Sequence, residues 1–542
     1  MNNKTTLTVH NNLHLGLMAF GLVSIGVAIL LIFTSPRFAN ADDIRMSMTI
    51  HGYGQILIGS PYLMFSNILR GYIIQHLPDF EFARGYSIET YLTLFFSCWL
   101  GLFLLFKFDV PKSLACALII LIYGYNFEFP QFTITAGLLT ASGLLGIYYY
   151  LEKEPAKEVL ILSVIALLYG FITRADEFVF VLLLSAPILV TSFARANSFF
   201  AGVILALTFT MGLLTYIDYL VDNSSFFIKY TQFQNARSQY NDYQVANLIL
   251  RDESIYKKYG LSKNDIRLVS RGFSFDESLS EPGRLSKMAA EVKFTDILLF
   301  NSQLIPQNLK LLIKFPMLPL FLVSLLGLVL VGARQPKFLV MFAFFITSII
   351  GFTLIGRSGV TRIYYPILAC LLILMIPSIK MNPLSCKLIL SAGMLGALLL
   401  FGQDFASQLT ASNALFNQSQ IMVQEQIAPN SIIFNWNGFD FHYYYTLFPK
   451  TNLQAIHYDH SGVSSFFPYS VSNINRETGF GFVDQFTSSA GLLLMSENIN
   501  LIKIYCQEHF SGELNITSKV KISETAHLYS LRCVPGRKAS KP

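Results

Sequence analysis

Residues 15–33 read LGLMAFGLVSIGVAILLIF, without one charged side chain, and residues 34–43 continue TSPRFANADD. At 1.5 Å per residue such a helix is about 28 Å long, close to the hydrocarbon thickness of a bilayer. The run is expected to cross a membrane and to deliver Asp42 and Asp43 to the far surface. Apolar runs near spanning length recur at residues 87–106, 113–127, 132–151, 159–173, 178–193, 198–220, 316–332, 338–356, 363–379 and 388–401. About eleven transmembrane helices are therefore expected. Composition agrees: 53% of the residues are hydrophobic and 13% charged, where a soluble domain carries about one quarter charged residues. The fold class is an α-helical polytopic membrane protein.

Charge in the connecting loops sets the orientation. Lys107 and Lys112, Lys153 and Lys157, Arg195, Arg334 and Lys337, and Lys380 and Lys387 fall in alternate loops. Basic residues are retained on the cytoplasmic side, so these five loops and the N-terminus are assigned to the cytoplasm. Residues 34–86, 174–177, 221–315, 357–362 and the stretch after 403 then lie outside. The net charge of +6 is spread along the chain, which marks topology rather than a nucleic-acid surface. Ala39-Asn40-Ala41 resembles a signal-peptidase site, but the apolar run exceeds a usual signal core and many spans follow, which favours a retained first helix. Residues 62–77, interrupted by Asn67, Arg70, Gln75 and His76, suit the membrane interface better than a span.

Two domains are expected: a membrane domain over 1–403, with exported loops 34–86 and 221–315, and a small exported soluble α/β domain over 404–542. In the latter, residues 431–435, 453–457 and 492–495 read as strands and 439–447 and 499–509 as helices. Residues 516–522 and 526–533 read as a closing hairpin. Cys98, Cys116, Cys370 and Cys386 sit in or beside spans as small apolar residues. Cys506 and Cys533 both fall in the exported tail, where a disulfide can persist. No cysteine–histidine spacing suggests zinc.

Polar groups at the exported side are the candidates for chemistry. Asp42-Asp43 could act as a general base toward a hydroxyl or as ligands for a hard divalent cation such as Mg or Mn; the alternative is an acidic flank of a helix end. One carboxylate pair is not a complete metal site, so the metal ligands are unknown, no cofactor is certain, and a divalent metal stays open. Arg174, Asp176 and Glu177 share a tight turn, which needs polar residues in any case. Arg174, Arg357 and Arg362 all run against the positive-inside bias. Guanidinium groups there suit a phosphate, although ordinary lipid headgroups would serve as well. Arg237 lies in the long loop after Asp218, together with Asn235, Asp242, Lys263-Asn264-Asp265 and Asp276. A loop of that length is functional or folded in its own right.

The plan of one helix, an acidic pair in the first exported loop, many further helices and an exported C-terminal domain resembles the GT-C superfamily of glycosyltransferases. Asp42-Asp43-Ile44, Gly52, Pro61, Asn67-Ile68-Leu69 and Pro78 also resemble a pattern of bacterial polytopic proteins in that group, with Arg70 standing before Gly71. Gln234-Asn235-Ala236-Arg237, Leu261-Ser262-Lys263-Asn264-Asp265 and Thr361-Arg362-Ile363-Tyr364-Tyr365-Pro366 continue the likeness. The resemblance implies a GT-C-like hexosyltransferase of the bacterial inner membrane, with its N-terminus cytoplasmic and its C-terminal domain periplasmic. A sugar would pass from a polyprenyl-phosphate donor to a cell-envelope glycan or lipid acceptor on the outer face. O-antigen-type glucosyltransferases are the nearest functional type. Asp42 or Asp43 would be the base; Arg174, Asp176, Glu177, Arg237, Arg357 and Arg362 would bind substrate. Two other classes stay open. A flippase of lipid-linked saccharides would need ionisable groups inside spans and related halves, and a membrane scaffold would not need the acidic pair.

Overall fold

The computed structural model describes residues 3–80, 83–331, 335–357, 359–379, 384–426, 432–439, 443–448, 457–522 and 526–536. Helix α1 (Asn3–Phe33) leads into two short helices, α2 (Ala41–His51) and α3 (Ile68–Gln75). Six long helices follow: α4 (Gly85–Lys107), α5 (Lys112–Glu128), α6 (Phe132–Glu152), α7 (Lys157–Thr173), α8 (Ala175–Ser192) and α9 (Ser198–Asp222). The next loop folds into α10 (Ile228–Arg237), α11 (Val245–Ile249), α12 (Glu253–Lys258), α13 (Lys263–Ser270), α14 (Pro282–Glu291), α15 (Phe294–Ser302) and α16 (Ile305–Leu309). Four long helices, α17 (Met317–Val331), α18 (Pro336–Leu354), α19 (Thr361–Met375) and α20 (Leu384–Gln426), complete the bundle.

Each of the eleven apolar runs is thus a helix. Among the described residues, eight are long and apolar enough to cross a membrane. The segment Ile305–Ile313 and α17 meet at 83° and make a ninth span if taken together. Helices α5 and α7, at 17 residues each, are at the short limit of spanning length. Helix α6 is the axis of the bundle, buried from Phe132 to Leu151 and packed by α4, α7, α8 and α19.

The two ends of the bundle differ. At one end Lys107 pairs with Glu154 at 3.8 Å, Arg195 with Glu152, and the Lys337 ammonium lies 5.3 Å from the Tyr148 ring. At the other end α2, α3, the α7–α8 turn, the α9–α17 loop and the tail converge. Residues 62–77 yield only α3, which rests on the 60s loop. A Cβ on Gly71 would fall 1.7 Å from the Pro61 carbonyl oxygen, so only glycine permits that approach.

Above this end stands a soluble body built from two chain segments. The tail contributes a five-stranded sheet of order β2-β1-β3-β5-β4, with β1 (Ile433–Trp436), β2 (Tyr458–His460), β3 (Leu492–Ser496), β4 (Glu513–Lys521) and β5 (His527–Val534). Strands β1, β2 and β3 run parallel; β5 is antiparallel to β3 and β4. Phe434, Trp436, Leu494 and Tyr505 from the tail share one core with Tyr240, Ile266, Phe273, Phe275 and Leu285 from the long loop. Neither segment closes that core alone. The expected strand at 453–457 lies outside the described residues except for His457, and a strand stands at Tyr458–His460 instead. Residues 440–442 of the expected helix 439–447 also lie outside them, and 443–448 form no α-helix but a turn with Thr446 bridged to Arg37. Cys506, on α21 (Ile499–Phe510), is joined to Cys533 of β5, with Cα atoms 5.7 Å apart. Helix α20 runs unbroken across residue 403, where the sequence suggested a domain boundary.

Candidate functional site

Asn40 starts α2: its side chain accepts from the Asp42 backbone N–H, and both carboxylates fall in the first turn, where the helix dipole favours negative charge. Consecutive residues on a helix point about 100° apart, so the pair divides. The Asp42 carboxylate meets Arg362 Nη1 at 2.6 Å through Oδ2 and Arg45 Nη1 at 3.3 Å through Oδ1. Asp43 is fully buried. Its Oδ1 accepts from the Tyr86 hydroxyl at 2.9 Å and from the Phe132 backbone N–H, at the start of α6, at 3.0 Å. Its Oδ2 has no hydrogen-bond partner.

Their electrostatics divide in the same way. Burial pushes the Asp42 carboxyl up, but Arg45, Arg362 and Arg174 outweigh it and hold the group below its ordinary range. Burial of Asp43 is only partly offset by the Tyr86 bond and by Arg70, and its pKa is pushed up to about 7. Asp42 is an ionised group facing cations, whereas Asp43 is a buried acid that caps a helix.

Arg174 stands at the break between α7 and α8, with Nη1 donating to Thr133 Oγ1 at 3.2 Å. Its guanidinium lies beside the stacked Phe65 and Phe132 rings, 5.4 and 5.2 Å from their centroids. Burial, and then Arg362 beside it, push its pKa down. Among the described residues Arg174 has no ion-pair partner within contact distance. Arg362 reaches Asp42 from the first turn of α19.

Two spaces adjoin these groups. One is lined by Asp42, Arg45, Thr49, Tyr230 and Ser464. The other, of about 320 Å³, is lined by Arg174, Asp176, Asn67, Phe171, Asp218 and Asp222. Tyr62, Met64 and Phe65 line both and form the partition. Asp218 holds this wall by accepting from the Ile68 N–H at 2.9 Å, and Asp222 accepts from the Tyr62 hydroxyl at 2.6 Å.

The remaining sequence candidates fall elsewhere. Glu177 is buried beneath the turn, against Gly137, and its Oε1 has no partner. Arg237 and Arg357 share Asp242, at 3.3 and 3.5 Å. Gly356, at φ +96°, brings the α18–α19 turn against the Tyr243 carbonyl. Arg357 thereby ties the long loop to the bundle, Arg237 braces that loop internally, and neither joins Asp42. Gln234 and Asn264 donate to the tail carbonyls of Val463 and Leu501, and Asp265 forms the capping box of α13.

Sequence reading passed over three features. Arg45 lies three residues after Asp42, a spacing that places both on one helix face. His460, from β2, sits 2.8 Å from Arg45 Nη2 through Nε2 while Nδ1 meets the Asn435 carbonyl at 3.2 Å. The Nδ1–H therefore donates to that carbonyl, and Nε2 accepts from Arg45. Behind Asp43, Arg70 and Glu89 form a buried two-point ion pair, 2.9 Å at each contact, which also takes bonds from Tyr169 and to Ser66.

For a divalent cation the donor set at Asp42 fits poorly: both of its oxygens face guanidinium groups, and Asp43 is turned inward. Among the described residues, the group of three acidic or histidine ligands close enough to hold an ion is Asp265, Glu508 and His509, in the soluble body.

No family model and no curated protein sequence matches the chain. Two solved structures are similar along most of it. ArnT from Cupriavidus metallidurans in the apo state shares 10% identity over 94% of this chain and 98% of that one, with a TM-score of 0.36. The same protein bound to undecaprenyl phosphate shares 11% over 94% and 97%, with a TM-score of 0.35.

Proposed function

We propose that this multi-pass membrane protein is a GT-C-like glycosyltransferase that moves a sugar from a polyprenyl-phosphate donor to a glycan or lipid acceptor. The observation that carries the reading is Asp42 held in ion pairs by Arg362 and Arg45, with the unpaired Arg174 alongside. A glycosyl transfer from a lipid phosphate needs a carboxylate for the acceptor hydroxyl and cations for the departing phosphate, both gathered around one anomeric carbon. Asp42 is the base in this scheme and Asp43 a structural acid.

The donor phosphate draws Arg362 and Arg174 to itself, which frees Asp42 Oδ2 for the acceptor. The acceptor oxygen bonds to the anomeric carbon as the carbon–oxygen bond to phosphate breaks. The hydroxyl proton passes to Asp42, and the bonding electrons leave with the lipid phosphate, whose added charge the arginines hold. No step uses a metal. The positive-inside pattern and the Cys506–Cys533 bridge support placing this end on the outer face of a bacterial inner membrane.

The test uses membranes carrying the full chain and a panel of labelled polyprenyl-phosphate sugars. Asp42→Asn should remove transfer, a loss of about 10²–10⁴-fold for a general base, while donor binding persists. Arg362→Ala should weaken donor binding. Full transfer by Asp42→Asn would refute the assignment, and unaltered donor export by that variant would favour a flippase.

A further inference from the structure

The structure assigns a second membrane-contacting element: residues 293–314 lie in the plane of the outer interface and bind a lipid surface bearing anionic phosphate headgroups. Several independent observations meet there. Ile305–Ile313 is turned 83° from α17; if α17 crosses the bilayer, the segment before it runs along the surface. Two buried asparagines fix its height. Asn308 Nδ2 donates to Thr353 Oγ1 at 2.9 Å, and Asn301 Nδ2 to the Leu354 carbonyl at 3.5 Å, both at the last turn of α18. The element is therefore held level with the end of one span and continuous with the start of another.

Its side chains match that position. Phe294, Leu299 and Ile313 are 61%, 69% and 63% exposed, three large apolar side chains left open on one short element. Lys293, Lys310 and Lys314 are exposed and have no ion-pair partner among the described residues. Apolar residues with flanking lysines are the composition of an in-plane helix seated at the headgroup boundary. Three unpaired lysines at that level attract anionic headgroups, and they stand on the side that positive-inside bias would leave poor in charge. Helix α17 begins just after Lys314, and α18 ends where Asn301 and Asn308 bond to it, so the element is continuous with two spans and the bilayer itself is its occupant.

The element also joins the soluble body to the bundle. It follows α14, whose Leu285 and Met288 belong to the core shared with the tail, and the Arg251 guanidinium lies 4.6 Å from the Phe300 ring. Seating it in the leaflet holds that body down over the end of the bundle that carries Asp42.

Tryptophan fluorescence tests this, because the chain has only two native tryptophans, Trp99 and Trp436. Leu299→Trp and, as a control on the outer strand of the sheet, Ser518→Trp are reconstituted in nanodiscs with and without brominated acyl chains, and the wild-type signal is subtracted. Leu299→Trp should emit to the blue and lose added emission to bromine, as a side chain seated at the headgroup–acyl boundary does, with no such loss for Ser518→Trp. Replacing part of the phosphatidylcholine with phosphatidylglycerol should deepen the quenching, and Lys293→Gln/Lys310→Gln/Lys314→Gln should abolish that lipid dependence. Equal quenching of the two tryptophans would overturn the proposal. So would shielding of Leu299→Trp with cross-linking to a second copy, which would make the patch a dimer face. Loss of lipid dependence without the lysine change would refute the headgroup half alone. None of these readouts involves sugar transfer.

Discussion

Replacing Asp43 by asparagine should make the dependence of stability on pH cross that of the wild type. The carboxyl is fully buried and its pKa stands at about 7 against an ordinary 3.8. At 1.36 kcal/mol per pH unit, that gap is worth about 4 kcal/mol. The sign follows from proton binding. Below about pH 4 both the folded and unfolded chains hold the proton, and the site costs nothing. Between about 4 and 7 the unfolded chain releases it while the folded chain retains it, so stability falls as pH rises; above about 7 the loss is complete. The carboxamide of Asp43→Asn keeps the oxygen that accepts from Tyr86 and Phe132 but cannot ionise. Its amide nitrogen falls where Oδ2 has no partner, a penalty of about 1–3 kcal/mol at every pH. The variant should therefore be less stable than wild type near pH 4 and more stable, by about 1–3 kcal/mol, near pH 8. Thermal unfolding of both proteins in one detergent across pH 4–9 measures this, and other titrating groups cancel in the difference. Parallel curves would refute the burial argument.

Two more outcomes follow from the buried network and the tail. Arg70 and Glu89 are 1% and 2% exposed, so Glu89→Gln, which strands the guanidinium, should cost about 3–5 kcal/mol, and Arg70→Met with Glu89→Leu should cost less than that single change. The Cys506–Cys533 bridge closes a 27-residue separation, so Cys533→Ser should lower the stability of the soluble body by about 3–4 kcal/mol, read as earlier proteolysis of the tail with the bundle intact.

The helices were legible because lipid imposes length and apolarity on each one separately, so each run announces itself without its neighbours. The acidic pair was legible as a pair, but the division of labour within it was not. That division depends on which side of one helical turn meets Tyr86 and which meets Arg362, and Arg362 lies 320 residues away. Arg362 and Arg357 look alike in sequence, since both interrupt one short loop against the charge bias. Only the approach of Tyr243 to Gly356 sends Arg357 to Asp242 instead. His460 carried no signal at all, because β2 is brought to Arg45 by parallel pairing with β1. The union of long loop and tail was hidden for a similar reason. Phe273, Phe275 and Tyr240 were visible as apolar residues in a long loop, but a core assembled from two distant segments leaves no local periodicity.

Helix α20 is 43 residues long, about 65 Å at 1.5 Å per residue, so about half of it stands beyond the bilayer. Along that half Ser412 and Asn413 receive Arg37 at 2.7 and 2.6 Å, Gln420 donates to the Tyr444 carbonyl at 3.2 Å and Gln418 to the Ile522 carbonyl at 3.5 Å. A continuous helix behaves as a screw, and length along it is also angle around it. One residue inserted between 404 and 411 would turn every later contact by about 100° and lift it about 1.5 Å. Seven would restore the facing to within about 20° yet raise the tail by about 10 Å. No insertion keeps both the bearing and the height of His460 over Arg45, so the number of residues in this one helix acts as a key cut to the depth of the site.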